Sequence, residues 1–492
     1  MVSAVEQVRL HVSKNTEAHK KSQWGQFFTP ASTARFMAGL FRPSLSHVCR
    51  LLDPGAGIGS LSCAFLERYA SDVQTFKSIA LTAYEQDSSL HSDLGRMLSL
   101  HAKKLKVDYE TIGGDFIEAS VNHIQFGGKR FTHVIANPPY KKIHSGSAHR
   151  QLLREVGIET VNLYSAFIAL AVEQMEQGGQ MVTIIPRSFC NGPYYRPFRN
   201  LLLKQTAIRH IHLFDSRTQG FKDDDVLQEN IILLLERGGK QDKVTISTST
   251  DNTFCDLKTQ AYPFECIVSP DDSEKFIHIP TTGAMENIPA LSSTICYSLD
   301  ELGLKVSTGP VVDFRLKEHL REMPDADTVP LLYPGHFCDQ ILEWPRLNFK
   351  KPNAIVQNAE TEKWLYPTGY YCVTRRFSSK EEKRRIMASV VSPEAFPQYN
   401  ALGFENHLNV FHENKHGLSE ELARGLAVFL NSMGVDECFR RFNGHTQVNA
   451  TDLKQMKYPS RTALIALGKW AIKQNTESTQ NMLDEQLEKL IA

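Results

Sequence analysis

This 492-residue sequence predicts an α/β fold with a doubly wound parallel sheet, followed by a smaller α+β region. Three observations carry the expectation. From about Val48 to Glu236, short apolar runs alternate with helical patterns, the signature of strands joined by crossover helices. The first run ends in a glycine-rich turn, Gly55-Ala56-Gly57-Ile58-Gly59. The run Phe131–Ala136 ends in Asn137-Pro138-Pro139-Tyr140, a turn that a buried strand would deliver to the C-terminal edge of the sheet, where open α/β folds bind ligands.

In chain order, Met1 to Lys21 reads as a polar helix without the apolar core of a signal peptide. A helix starts at Thr29-Pro30, with proline suited to a first turn, and carries Phe36, Met37, Leu40 and Phe41 at helical spacing. Val48–Leu52 is the first strand and Ile79–Tyr84 the second, ending at Glu85. Tyr109–Gly114 leads into Asp115-Phe116. Leu163–Gln177 reads as an amphipathic helix stopped by Gly178-Gly179. Met181–Ile185, Ile208–Phe214 and Ile231–Leu235 complete the strands.

The turns supply the chemistry. Glycines at the end of a first strand let backbone amides approach a ligand closely, and Glu85, ending the next strand, can grip two ribose hydroxyls. Asp115 could accept from an adenine amino group while Phe116 stacks on the ring. The glycines alone could equally be a tight strand–helix turn; with acids at two successive strand ends, a ligand site reads better. In Asn137-Pro138-Pro139-Tyr140 the prolines supply no N–H, so carbonyls there stay free to accept. An amide, a free carbonyl and an aromatic face suit a planar ring bearing an exocyclic amine.

In this order the motifs resemble those of the gamma-class adenine-specific DNA methyltransferases. The resemblance rests on Gly25-Gln26-Phe27-Phe28-Thr29-Pro30, Asp53-Pro54-Gly55-Ala56-Gly57, Tyr84-Glu85-Gln86-Asp87, Gly114-Asp115-Phe116 and Asn137-Pro138-Pro139-Tyr140. It continues through Asn162–Phe167 and Gly220-Phe221-Lys222, covering about the first half of the chain. Size and the pattern of the second half suggest the BsuBI/PstI-like group of restriction–modification systems. The resemblance implies a Rossmann-like catalytic domain bound to S-adenosyl-L-methionine, and double-stranded DNA as substrate. Thr29 and Pro30 would border the methionine end of the cofactor, with Asp53, Gly55, Ala56 and Gly57 beside it. Glu85 would hold the ribose; Asp115 and Phe116, with Phe167, would hold the adenine. Asn137 and the carbonyl of Pro138 would accept hydrogen bonds from the target amino group. Tyr140 and Phe221 would sandwich the flipped base. Phe167 could instead be plain core, and Phe221 could merely pack its own loop.

Two accepted N–H bonds favour a pyramidal nitrogen whose lone pair meets the sulfonium methyl, so positioning and electrostatics supply most of the work. No metal is expected. The target atom lies inside the duplex, so the base has to be extruded and stacked.

Beyond Glu236 the glycine-turn pattern stops. Lys243–Ser249 alternates like a strand, and Glu265–Ser269 with Phe276–Pro280 reads as a hairpin. Thr281–Ser293 is the expected boundary, giving a catalytic domain over residues 1–288 and a target-recognition domain over 289–492. Leu304–Arg315, Val329–Tyr333, Pro367–Arg376 and Leu426–Phe442 form its mixed elements. Arg375, Arg376, Arg384, Arg440 and Arg441 are candidate DNA contacts, and Gln447 and Asn449 could read base edges. Ser379–Met387 could also be an ordinary solvated helix face.

Lys+Arg and Asp+Glu both number 55, so a nucleic acid would be held by local basic patches, not by net charge. Nine scattered cysteines without a Cys-x-x-Cys pair suit free thiols in a reducing cytoplasm, and the resemblance implies a prokaryotic one. No apolar run approaches the ~20 residues of a membrane span. The short segment before the first motif leaves no room for an N-terminal nuclease, so any cognate restriction endonuclease is expected on a separate chain. A methyltransferase for RNA or protein amino groups, or the modification subunit of a larger phage-defence complex, is the alternative; a monomer is expected.

Overall fold

The computed structural model describes residues 4–15, 28–44, 46–71, 76–105, 107–214, 229–270, 272–280, 294–338, 340–378, 382–442, 447–474 and 480–491. They form two compact units, Met1–Met285 and Glu286–Ala492. The expected boundary segment, Thr281–Ser293, lies outside the described residues.

The first unit opens with α1 (Ala4–Asn15) and α2 (Ala31–Gly39). It continues through β1 (Val48–Pro54), α3 (Ser60–Ser71), β2 (Ser78–Glu85), α4 (His91–Leu105), β3 (Asp108–Gly113), α5 (Phe116–Phe126) and β4 (Phe131–Ala136). Then come α6 (Ala148–Glu155), α7 (Leu163–Glu173), β5 (Met175–Pro186), α8 (Arg196–Gln205), β6 (Thr206–Phe214), β7 (Asn230–Arg237), β8 (Val244–Ser249) and β9 (Lys258–Tyr262). One nine-stranded sheet results, in the order β3-β2-β1-β4-β5-β7-β6-β8-β9.

From β3 to β5 the strands are parallel; β7 runs antiparallel to both β5 and β6. The sheet is therefore mixed, with the expected parallel part running from β3 to β5. The six residues of β4 are all buried, as a central strand covered on both faces requires. Chain order reverses between β1 and β4, so the turns after β1, β2, β3 and β4 gather at one edge, at the switch point where α/β sheets bind ligands.

Two further local expectations give way to packing. The helix expected over Leu163–Gln177 stops at Glu173, because Met175 already pairs with Phe131 on β4. Gly178 and Gly179 lie inside β5, in an irregular stretch of that pairing. Gly178 takes φ +78°, and a Cβ on Gly179 would lie 3.2 Å from the Thr132 carbonyl. The glycines mark a bulge, not a helix cap. The hairpin expected at Glu265–Pro280 forms no strands among the described residues: a 3-10 turn (Phe264–Cys266) stands there, the two arms meet through one backbone bond from His278 to the Ile267 carbonyl at 2.7 Å, and Ile277 donates to the Cys190 carbonyl.

The second unit holds β10 (Ile295–Tyr297), β11 (Lys305–Thr308), β12 (Leu320–Arg321), β13 (Thr328–Leu332), β14 (Phe337–Cys338), β15 (Ile341–Leu342) and β16 (Ala354–Val356). These are followed by β17 (Leu365–Pro367), β18 (Tyr371–Arg375), β19 (Ala388–Val391), β20 (Ala401–Phe404) and β21 (Leu408–His412). Its C-terminal part is α9 (Glu420–Leu430), α10 (Met433–Phe442), α11 (Ala450–Gln455), β22 (Tyr458–Pro459), α12 (Arg461–Lys473) and α13 (Gln480–Ile491). Two main sheets run β11-β21-β18-β19 and β12-β16-β13-β20-β17. Helices α9 and α12 meet through Gly425 and Gly468, where any added Cβ would overlap the facing backbone. No helix among the described residues is long and apolar enough to cross a membrane.

Candidate active site

The glycine turn after β1 is built as a cradle. Gly55, Gly57 and Gly59 take φ +92°, +56° and +85°, conformations that L side chains rarely adopt. The amides of Gly55 and Ala56 donate to the Tyr84 carbonyl at 2.9 and 2.7 Å, tying this turn to the end of β2. There the buried Glu85 accepts the Gly57 amide through Oε2 and the Asp87 amide through Oε1, both at 2.7 Å. Burial raises the Glu85 pKa, against the lowering effect of those two amides.

Asp53, at the end of β1, is fully buried. Its Oδ2 accepts the Ser62 hydroxyl at 2.6 Å, while Oδ1 has no hydrogen-bond partner among the described residues. Burial pushes its pKa up to about 7; the Ser62 bond works against that shift, and the Glu85 charge adds to it. A buried carboxylate oxygen without a donor is costly unless a ligand supplies one. Together with the cradle, it fits a ligand carrying an ammonium group.

Asp115 is the N-cap of α5, its Oδ1 accepting the amides of Ile117 at 2.7 Å and Glu118 at 3.2 Å. Its Oδ2 lies 2.6 Å from His149 Nε2. Burial alone would raise the Asp115 pKa, but the His149 contact and the amides hold it below the usual carboxylate value. Phe116 packs on Phe167 with ring centroids 4.8 Å apart. A cavity of ≈ 200 Å³ opens beside them, walled by Asp115, Ile117, Pro139, Leu163 and Phe167. Phe167 is thus both core and wall, being 9% exposed. The motifs do not contain Ile117, Lys141 and His149, and their reading gave no role to Gln86 or Leu163; Gln86, Lys141 and His149 also line the cavity.

Beyond that cavity stands the turn after β4. Asn137 donates from Nδ2 to Thr29 Oγ1 at 3.0 Å, which fixes the amide with its oxygen on the opposite side. That oxygen accepts the Tyr140 hydroxyl at 2.9 Å, and the same hydroxyl lies 3.1 Å from the Ile184 carbonyl. Thr29 is buried just before α2, whose first amide, Ala31 N, donates to Glu6 of α1 at 3.0 Å. The N-terminal helix thereby helps seat Thr29 and Pro30. Tyr140 stands edge-on to the buried Tyr164 at 6.2 Å, and burial raises its pKa. No donor among the described residues reaches the Pro138 carbonyl. The structure thus gathers Thr29, Pro30, Asp53, Gly55, Gly57, Glu85, Asp115, Phe116, Asn137 and Tyr140 at one sheet edge. Phe221 and Gly25–Phe27 lie outside the described residues.

The basic candidates of the second unit are largely engaged within it. Arg375 pairs with Glu382 at 2.7 Å. Arg376 donates to the Asn406 carbonyl at 3.3 Å and to Gln447 at 3.4 Å. Arg440 donates to Asp436 at 2.6 Å, and Asn449 caps α11 with Asp452. Arg384 is half-buried, and burial lowers its pKa against the opposing charges of Asp436 and Asp484. The Arg441 side chain lies outside the described residues. Ser379–Met387 forms no helix where it is described: Arg385, 1% exposed, donates its backbone amide to Asp436 at 2.7 Å.

A mixed α/β sheet with a glycine cradle, a buried strand-end carboxylate and an amide–proline–tyrosine turn at one edge is the arrangement of a methyltransferase. Residues 60–221 match the model of the Eco57I restriction-modification methylase family. The chain is 52% identical over its whole length to Type II methyltransferase M.BsuBI of Bacillus subtilis, covering 98% of that protein. It is 41% identical over 94% of its length to Type II methyltransferase M.PstI of Providencia stuartii, covering 92% of it. The chain belongs to this family of type II restriction–modification methyltransferases.

The expectations of a restriction–modification DNA methyltransferase and of S-adenosylmethionine as its cofactor are borne out, and methylation of adenine is consistent with the matched family. Among solved structures, the DrdV–DNA complex aligns with 95% of this chain and 59% of that one, at a TM-score of 0.54 and 12% identity. A nuclease-deletion mutant of the Type ISP enzyme LlaGI, in complex with a DNA substrate mimic, aligns with 94% of this chain and 56% of that one, at 0.51 and 12%. These two likenesses concern the fold alone.

Proposed function

We propose that Asn137 and the Pro138 carbonyl hold the exocyclic amino group of an adenine flipped out of duplex DNA, while a methyl group is transferred to it. Bound S-adenosylmethionine supplies a methyl carried on a sulfonium, already an activated electrophile. The chain's own residues then bind and orient. Asp53 Oδ1, buried and without a partner among the described residues, would take the ammonium of the methionine end, with Thr29, Pro30 and the Gly55–Gly57 cradle helping to hold it. Glu85, held at the end of β2 by the Gly57 and Asp87 amides, would accept from the ribose hydroxyls. Asp115, Phe116 and Phe167 take the adenine ring of the cofactor.

The observation that carries the reading is the fixed Asn137 amide. The Nδ2 bond to Thr29 sets which side of the amide is which, so the acceptor Oδ1 faces the Tyr140 side of the turn, the polarity that an amino group requires. The Tyr140 hydroxyl has one proton and two acceptors within reach. Turned fully to Ile184, it releases Asn137 Oδ1 for the adenine, while its ring stacks on the base. Two accepted N–H bonds then aim the nitrogen lone pair at the methyl, and the proton departs once nitrogen is alkylated.

We assign target recognition to the second unit and expect Phe221 to cover the second face of the base. The cognate endonuclease would be a separate chain, and the enzyme would work on DNA in a prokaryotic cytoplasm. The test is single-molecule sequencing of a host expressing the protein alone: modified adenines should fall within one short motif. With Asn137→Ala the marks should vanish, methyl transfer dropping by about 10³-fold, as for loss of one preorganised polar group, while cofactor affinity is kept. Marks that persist in that variant, or a wild-type host with no modified adenine, would refute the assignment.

A further inference from the structure

His149 closes the outer side of the cavity beside Phe167, and no motif of the chain contains it. It is the second residue of α6, and its Nε2 stands 2.6 Å from Asp115 Oδ2. The other Asp115 oxygen is committed to the amides at the start of α5. Any donor entering the cavity therefore meets this carboxylate at Oδ2, the oxygen that His149 already holds. Oδ2 has a second lone pair to offer.

The helix beneath His149 is well anchored. Ser147 caps it, Leu153 is fully buried, and Arg150 and Arg154 both pair with Glu159. His149 is thus fixed on a rigid element while its side chain stays 38% exposed. Contact with Asp115 raises the His149 pKa against burial, and Lys141, another wall residue, opposes that rise.

We infer that His149 is a positioning residue for the adenine end of the cofactor: by gripping one side of Asp115 Oδ2 it turns the remaining lone pair of that carboxylate into the cavity, towards the ring amino group. The inference rests on the reading of this cavity as the pocket for the cofactor's adenine. It also gives α6 a role, since this helix follows the catalytic turn in sequence and returns to the cofactor side of the site.

Titration calorimetry of the full-length protein tests it, using S-adenosylmethionine, S-adenosylhomocysteine and adenosine with the wild type, His149→Ala and His149→Gln. His149→Ala should weaken all three by about tenfold, the size of one charge-assisted hydrogen bond, while the melting temperature of the unliganded protein holds. His149→Gln, which still carries an N–H donor, should restore most of the loss. Wild type should also prefer adenosine over inosine, whose ring oxygen accepts where the amino group donates, and His149→Ala should erode that preference. Unchanged adenosine binding in His149→Ala, or a loss that glutamine does not restore, overturns the inference and leaves the pocket reading standing. A wild-type protein that binds none of the three ligands overturns the reading, and the inference with it.

Discussion

The two units engage their candidate site residues differently, although Arg384 of the second also leaves Nη1 and Nη2 without a hydrogen-bond partner among the described residues. In the first, the sheet edge keeps spare capacity: the buried Asp53 Oδ1 has no hydrogen-bond partner among the described residues. In the second, Arg376, Arg440 and Asn449 are engaged by the unit's own carbonyls, carboxylates and caps. Spare capacity at the ends of parallel strands is what a ligand site requires, and the strand itself sets where it falls. A recognition surface made of loops and short strands has no such built-in address, so residue type alone identifies it poorly.

The largest effect expected in the second unit comes from Gly425→Ala. A Cβ there would overlap the Leu464 carbonyl, so α9 and α12 would have to separate. Overpacking of this kind costs about 3 kcal/mol or more. Calorimetry should show a transition moved to lower temperature, while S-adenosylmethionine binding at 25 °C is retained. Loss of cofactor binding in this variant would break the comparison by making the two units energetically one.

Asp53 sharpens it from the other side. Its folded pKa, about 7, lies above the ordinary carboxylate value, so the folded unliganded protein holds a proton that the unfolded chain has released. Stability contributed by that proton is complete below the unfolded pKa and is lost as pH rises through about 7. Asp53 should therefore cost the unliganded protein about 2 kcal/mol between pH 5 and pH 7, as measured by urea unfolding. Asp53→Asn should flatten that slope. Cofactor affinity should move the opposite way, rising towards pH 7 as the carboxylate ionises to meet the ammonium. A flat pH dependence of both quantities in the wild type would remove Asp53 from the cofactor site.

A smaller effect separates the hydroxyl of Tyr140 from its ring. Tyr140→Phe removes the bonds to Asn137 and Ile184 but leaves the edge-on contact with Tyr164 and the stacking face. The turnover number should fall by less than about tenfold with the KM for DNA unchanged, since only one neutral hydrogen bond is lost. Tyr140→Ala should raise that KM as well. Equal losses in the two variants would mean that the ring has no part in holding the base.

Much of the site was legible because strand ends tie residue identity to place. Asp53, Glu85 and Asn137 each sit where an apolar run stops, Asp115 follows the polar, exposed edge strand β3, and the sheet brings those four ends together whatever the intervening helices do. His149 was not legible, since its nearness to Asp115 follows from how α6 returns over the sheet, a tertiary fact. Gly178-Gly179 misled because glycine pairs end helices and also make bulges; pairing of Met175 with Phe131 decides for the bulge. The antiparallel β7 was hidden for a similar reason, as a fully buried strand reads the same in either direction. In the second unit, Arg384 and Arg385 stand side by side in sequence, yet one is half-buried and the other 1% exposed, which local charge counting cannot distinguish.

The smallest expected effect addresses the weaker half of the comparison. Arg375 and Glu382 form a partly exposed pair, their side chains 31% and 39% accessible, and such a pair adds less than about 1 kcal/mol to folding. If Arg375 leaves Glu382 for a phosphate, Arg375→Ala should weaken binding of a target duplex by less than about tenfold and lower the salt slope by about one. Glu382→Ala should then tighten binding, because the arginine no longer has to give up a partner. Filter binding across a salt series measures both. An unchanged slope in Arg375→Ala would place this arginine with Arg376 and Arg440, as part of the unit's own architecture, and the DNA-reading surface would have to be sought on another face of the same unit.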